Sequence, residues 1–150
     1  MLGKPLSKNL QYYFTSVPAI TAFNAPIVLF DRNVEKTLPS IVVGYSEENM
    51  SFSGGYGHYT VAGYVNIDVQ GYEDDNNDIA DNMATMILST INGNPALYNK
   101  VNKPSTGTDS RPVTAFHLNE LFIRSVDRNS EGTSEQITIK FDAFCVGQAV

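Results

Sequence analysis

The spacing of apolar positions changes along this chain, and each change predicts an element. Leu10, Phe14 and Val17 recur at i, i+4 and i+7, so residues 7–16 read as a short helix with Ser7 as its N-cap. Pro18 ends it, because a proline pushes the preceding residue out of the α region. Pro26-Ile27-Val28-Leu29-Phe30 reads as a short strand. Pro39-Ser40-Ile41-Val42-Val43-Gly44-Tyr45 reads as another, with its proline at the first residue, where a missing N–H is tolerated. From Thr60 to Gln70 the period is two. Val61, Gly63, Val65, Ile67 and Val69 share one face, and Thr60, Ala62, Tyr64, Asn66, Asp68 and Gln70 share the other, as in a half-buried strand.

The period then becomes helical. Ile79, Met83, Met86, Ile87 and Ile91 form a stripe that Ala80, Ala84 and Leu88 widen. Asp74, Asp75, Asn76 and Asp78 mark the start, where acidic and capping side chains meet free N–H groups. Asn92-Gly93, with Pro95 just beyond, marks the stop. Two more strands follow, Phe116 to Asp127 and Glu135 to Val146. The second alternates cleanly; the first has mixed facing, with Leu118, Phe122 and Val126 set against Leu121 and Ile123. Arg128-Asn129-Ser130-Glu131-Gly132 is turn chemistry and makes the two an antiparallel hairpin. The remaining stretches, about 46–58 and 93–112, are polar and read as long loops. This order predicts one α+β domain over residues 1–150, a mainly antiparallel twisted sheet of about four to five strands with helices packed on one face. One face of each strand is polar, which suits a sheet that is half exposed or meets a partner.

Composition narrows the function. The chain has 150 residues, 42% of them hydrophobic, enough for one self-sufficient core. A net charge of −6 argues against a protein that grips nucleic acid through clustered Lys and Arg. A single cysteine, Cys145, excludes an internal disulfide. The first residues lack a signal-peptide run, and no stretch approaches the roughly 18 apolar residues that span a bilayer. A reducing cytoplasm, or an assembly built there, is the expected setting.

Catalytic signatures fail one by one. Gly54-Gly55-Tyr56-Gly57 is not followed by Lys and leads into a strand, so it lacks the helix N-terminus of a phosphate loop. Asp74-Asp75-Asn76-Asn77-Asp78 begins like a calcium loop, but Ile79 stands where the turn needs Gly and Thr85 where a bidentate Glu belongs. His58 and His117 lie in no metal motif. Gly44-Tyr45-Ser46-Glu47-Glu48 is not a nucleophile elbow. Cys145 sits on the apolar side of its strand and reads as a buried hydrophobe. Nothing in the order of residues brings Glu47, Glu48 and Glu120 together as an acid–base pair. The expectation is no enzyme, no cofactor and no metal. Tyr45, Tyr56, Tyr59, Tyr64 and Tyr72 are concentrated in one segment, fitting either a protein–protein contact or partial burial under loops.

The whole order of elements, over roughly residues 7–146, resembles the tail terminator, or tail completion, proteins of tailed bacteriophages. The residues that carry the likeness are Ile27-Val28-Leu29, the proline-led Leu38-Pro39-Ser40-Ile41-Val42-Val43-Gly44, and the alternating strand Val61 to Val69. The helix Asp78 to Ile91 and the closing Ile137-Thr138-Ile139-Lys140-Phe141 complete it. The resemblance implies a virion structural protein of the tail or neck, assembled in the host cytoplasm. It would form a homo-oligomeric ring, hexameric in that family, on the last ring of tail-tube protein. It would stop tube growth and join the tail to the head connector or adaptor proteins. Genomic DNA would pass through without sequence-specific binding, and no membrane is involved. A head-to-tail ring needs two different complementary patches on each subunit. Tyr56, Tyr59 and Tyr64 on one side, with Lys100, Lys103, Arg111 and Arg128 on the other, are the candidate interface residues. Two other readings stay open: a tail-tube or head–tail adaptor subunit, and a small-molecule binding domain with a pocket between sheet and helices.

Overall fold

Period-two alternation in the middle and at the end of the chain builds one sheet. The structure, a computed structural model, describes residues 2–30, 39–53, 56–70, 73–102, 116–131 and 134–148. Its strands are β1 (Ile27–Leu29), β2 (Ser40–Ser53), β3 (Tyr56–Gln70), β4 (Phe116–Glu131) and β5 (Ser134–Gln148), side by side in the order β1-β2-β3-β5-β4. β2, β3, β5 and β4 are antiparallel neighbours, and β1 joins the outer edge of β2 in parallel. The sheet is therefore mixed, and its α+β class matches the expectation. Val61, Val65, Ile67 and Val69 of β3 and Ile137, Ile139, Phe141, Ala143 and Cys145 of β5 are buried. They pack in one core with α1 (Gly3–Thr15), α3 (Glu73–Ile91) and α4 (Pro95–Asn102). The opposite side of β3, from Thr60 to Asp68, stays half exposed.

The first helix starts four residues before the expected Ser7 cap. Leu2, Leu6, Leu10, Tyr13 and Phe14 are all buried, so the apolar stripe runs on toward the N-terminus. Each such side chain contributes roughly 1.5–3 kcal/mol on burial, more than the ~1 kcal/mol of a side-chain N-cap. Ser7 lies inside the helix and donates its hydroxyl to the Gly3 carbonyl at 2.8 Å. Pro18 opens α2 (Pro18–Thr21) at the first helical position, where no intrahelical donor is required. Two α1 side chains close the other helices. Tyr13 donates its hydroxyl to the Thr90 carbonyl at the end of α3 (2.8 Å), and the Asn9 amide donates to the Val101 carbonyl at the end of α4 (3.0 Å). Gly93, at φ +65°, ends α3 as Asn92-Gly93 predicts.

Both expected long loops require correction. Residues 46–53 and 56–58 belong to a hairpin paired to its tip, Ser53 opposite Tyr56. The start of α1 reaches as far as Glu48, whose carboxylate accepts the Leu2 N–H at 2.5 Å; beyond it the hairpin projects past the helices, and residues 49–52 are exposed. Residues 95–102 form α4, where Asn94 Oδ1 accepts the Ala96 N–H (3.0 Å) and Leu97 and Val101 turn one face into the core. The rest of that stretch, 103–112, lies outside the described residues. Irregular pairing explains the mixed facing of β4: the register shifts between Leu118 and Glu120 and again between Ile123 and Ser125. Each shift puts one extra residue in the strand, so Leu118, Leu121 and Ile123 all reach the helix side. Arg128, Asn129 and Ser130, expected in the turn, are paired strand residues opposite Ile137, Gln136 and Glu135.

Candidate functional site

The most distinctive surfaces are the two ends of the sheet. β1 covers β2 only at Ile41, Val42 and Val43. From Glu47 to Ser53, β2 pairs with β3 alone among the described residues, so its outer backbone is a free edge. On its helix-facing side Met50 is 42% exposed and Phe52 61%. At the far end, β4 pairs only with β5 among the strands. Its first half is closed by side chains of α4. The Asn102 amide brackets Leu118, accepting its N–H at 2.7 Å and donating to its carbonyl at 3.0 Å, as a neighbouring strand would. The Tyr98 hydroxyl accepts the Leu121 N–H at 3.0 Å. Beyond Leu121 no strand among the described residues pairs with this edge, and Val126 is 47% exposed.

The outer face of the sheet, opposite the helices, is polar and acidic. Register places Glu47, Asp68, Glu120, Asp127 and Asp142 there, against Arg124 and Lys140. Both cations sit beside carboxylates, Arg124 at 3.7 Å from Asp142 and Lys140 at 3.6 Å from Asp127. A shallow hollow of about 320 Å³ lies between Tyr64, Asn66, Gln136 and Thr138. Phe122 and Phe144 meet edge to face at 5.8 Å on the same face and are both exposed.

The expected interface residues do not form one patch. Tyr59 is 2% exposed and faces the helices, a correction forced by the parity of β3. It belongs to the same alternating set as Val61 and Val65, so its ring fills the core. Tyr64 lies on the outer face, half exposed, over Gly44, where an added Cβ would come within 2.5 Å of its hydroxyl. Tyr56 is the first residue of β3, paired with Ser53 and Gln148. Lys100 stands over the ring of Tyr12 at 5.2 Å. Arg128 is engaged within the chain, with Asp81 of α3 and, at 2.5 Å, with the buried Glu135. It ties a helix to the sheet. Lys103 and Arg111 lie outside the described residues. Missed were Met50 and Phe52. Their alternation with Asn49 and Ser51 is visible in the sequence, but the surrounding polar residues hid it.

Cys145 is buried, and burial first, then the Glu48 charge, push its thiol up to about 12. An open cleft of about 470 Å³ between α4 and β4 is lined by Tyr98, Asn99, Asn102, His117, Leu118 and Asn119, with no carboxylate among them. Among the described residues no three acidic, His or Cys side chains gather as metal ligands.

No family model matches the sequence, and none of the curated proteins does. A solved structure described as "Virion of native gene transfer agent (GTA) particle" contains a chain with the same fold. The two agree with a TM-score of 0.60 over 97% of this chain and 96% of that one, at 11% identity. From end to end, then, this chain is similar in architecture to a chain of a virion particle.

Proposed function

We propose that this chain is a non-enzymatic structural subunit of a phage-like virion. In this reading it forms a ring, six-membered as in the tail terminators it resembles, that ends the tail tube and joins it to the head connector. The observation that carries the reading is the end-to-end likeness to a chain of a gene transfer agent virion. Two sheet edges, at opposite ends of the strand order and unpaired over part of their length among the described residues, support a head-to-tail contact, the kind that closes into a ring. The acidic outer face supports passage of DNA without capture, because like charge keeps a phosphate backbone from adhering. Electron microscopy of particles assembled with and without this protein tests the proposal. Tubes of unregulated length and unjoined heads are expected in its absence; tails of normal length, joined to heads, would refute it. The same free edges also suit a tail-tube subunit. A purified chain that polymerises into open tubes by itself favours that second reading.

A further inference from the structure

The two free edges match each other. In an antiparallel stack, backbone groups alternate row by row between one neighbour and the other. β2, β3, β5 and β4 are four strands, an even number, so the rows that point N–H and C=O outward at one end do so at the other. Hydrogen bonds identify these rows. The Ile41 amide and Val43 carbonyl point out of β2 toward Pro26 and Phe30, and both backbone groups of Leu118 point out of β4 toward Asn102. All three residues are on the helix-facing side. Past the register shifts, Glu48, Met50 and Phe52 continue the set on β2, and Ile123, Val126 and Arg128 continue it on β4.

We propose that the 47–53 edge of one copy adds, antiparallel, to the 123–129 edge of the next, with Met50 opposite Val126. The proposal rests on the ring reading and names its seam. Antiparallel sense follows from the topology: β2 and β4 run in opposite directions within a subunit, and a rotation that continues the sheet preserves that opposition. Counted past Arg124, the extra residue at the second register shift, this register sets Phe52 beside the half-buried Ile123, so apolar side chains of the two copies cover one another. Glu48, which accepts the Leu2 N–H of its own copy, then faces Arg128, which Asp81 and Glu135 of its own copy hold, so the charges add little and the apolar pairs set the register. A shift of two residues one way puts Met50 against Arg128, losing the apolar match; a shift the other way brings Phe52 to Leu121, whose N–H the Tyr98 hydroxyl already takes. A shift of one crosses the faces. The row of Met50 inside one copy ends at Leu118, three helix-facing rows from Val126, so each join is staggered. Strands that close on themselves require such a stagger. The Asn102 and Tyr98 bonds to Leu118 and Leu121 keep the incoming strand off the first half of β4, leaving the second half as the landing site.

Asn49 and Asp127, both exposed, turn their backbone groups inward, so at the seam they form a non-hydrogen-bonded pair with Cα atoms ~4.5 Å apart. That separation is within the roughly 4.4–6.8 Å that a disulfide spans. The test is the full-length double variant Asn49→Cys/Asp127→Cys, oxidised across a concentration series and run on denaturing, non-reducing gels beside both single variants. Cys145 is buried, so only the introduced thiols respond. A ladder of covalent multimers at least tenfold stronger than in the single variants is expected. Sedimenting assemblies without that ladder would overturn the seam and leave the ring reading standing. An equal ladder from Asn49→Cys/Ser125→Cys would overturn the register. A chain that stays monomeric and uncross-linked at every concentration would overturn the seam as a contact of free copies, and the microscopy of assembled particles would still decide the ring. A second variant, Met50→Lys, is expected to keep the native circular dichroism spectrum and lose assembly; unchanged assembly counts against the seam.

Discussion

Gly63 lies on the helix-facing side of β3 between two valines, and the structure gives it a specific task. An added Cβ there would stand 2.3 Å from Cζ and 2.4 Å from Cε2 of Phe141. That ring is 1% exposed and has no solvent to retreat into. Two effects oppose each other in Gly63→Ala. Replacing a strand glycine by alanine stabilises by about 0.5–1 kcal/mol through lower chain entropy. Forcing a methyl into a packed core costs about 1–3 kcal/mol. A contact this short against a fixed aromatic ring makes the second effect win, for a net loss of about 1–2 kcal/mol. Phe141→Leu destabilises by leaving space, and in that background the same Gly63→Ala change becomes neutral or favourable. Urea titrations of the four proteins, followed by far-UV circular dichroism, complete the cycle. The expected coupling is about 1.5–3 kcal/mol, and Gly63→Ala alone lowers Tm by roughly 2–4 °C per kcal/mol lost. Additivity within ~0.5 kcal/mol would show that the ring does not sit on the glycine and that the β3–β5 register is wrong.

Four further outcomes follow from individual side chains. Burial raises the pKa of Tyr13, and burial plus the Glu48 charge raises that of Cys145. Both groups hold their protons in the fold after the unfolded chain has begun to release them, so stability falls as pH rises above about 9; urea midpoints that stay level from pH 7 to 10.5 would contradict this. For the same reason Cys145 resists iodoacetamide at pH 8 until denaturant unfolds the chain. Asn102→Ala removes both bonds to Leu118 and should cost about 1–3 kcal/mol, with faster hydrogen exchange at the Leu118 amide; unchanged exchange would remove the bracket from the account. Ile67→Asp puts a carboxylate at a fully buried position and should abolish cooperative folding; a soluble variant with a native-like melt would refute that placement.

The sheet edges left unpaired among the described residues are features of the backbone and carry no residue-type signal. Tyrosines and cations are good markers of contact on average. Here Tyr59 went to the core, and Arg128 went to Asp81 and Glu135. Asn49 through Phe52 stand clear of the helices, the last contact being that of the Leu2 N–H with Glu48.

Local periodicity was enough for most of the body. The alternation from Val61 to Val69 set a half-buried strand, the stripe from Ile79 to Ile91 set a helix ending at Gly93, and the α+β class followed from their order. Those signals survive because side-chain direction repeats every two or 3.6 residues whatever the neighbours are. The sequence also held weaker marks of α4 in Asn94-Pro95 with Leu97 and Val101, outweighed by the polar residues around them. Three things were decided only in three dimensions. The start of α1 depended on where Leu2 and Leu6 find a core, and the facing of β4 depended on two register shifts that break its period. The free edges depended on strand order and on how far the helices reach, because an unpaired backbone group carries no side-chain signature.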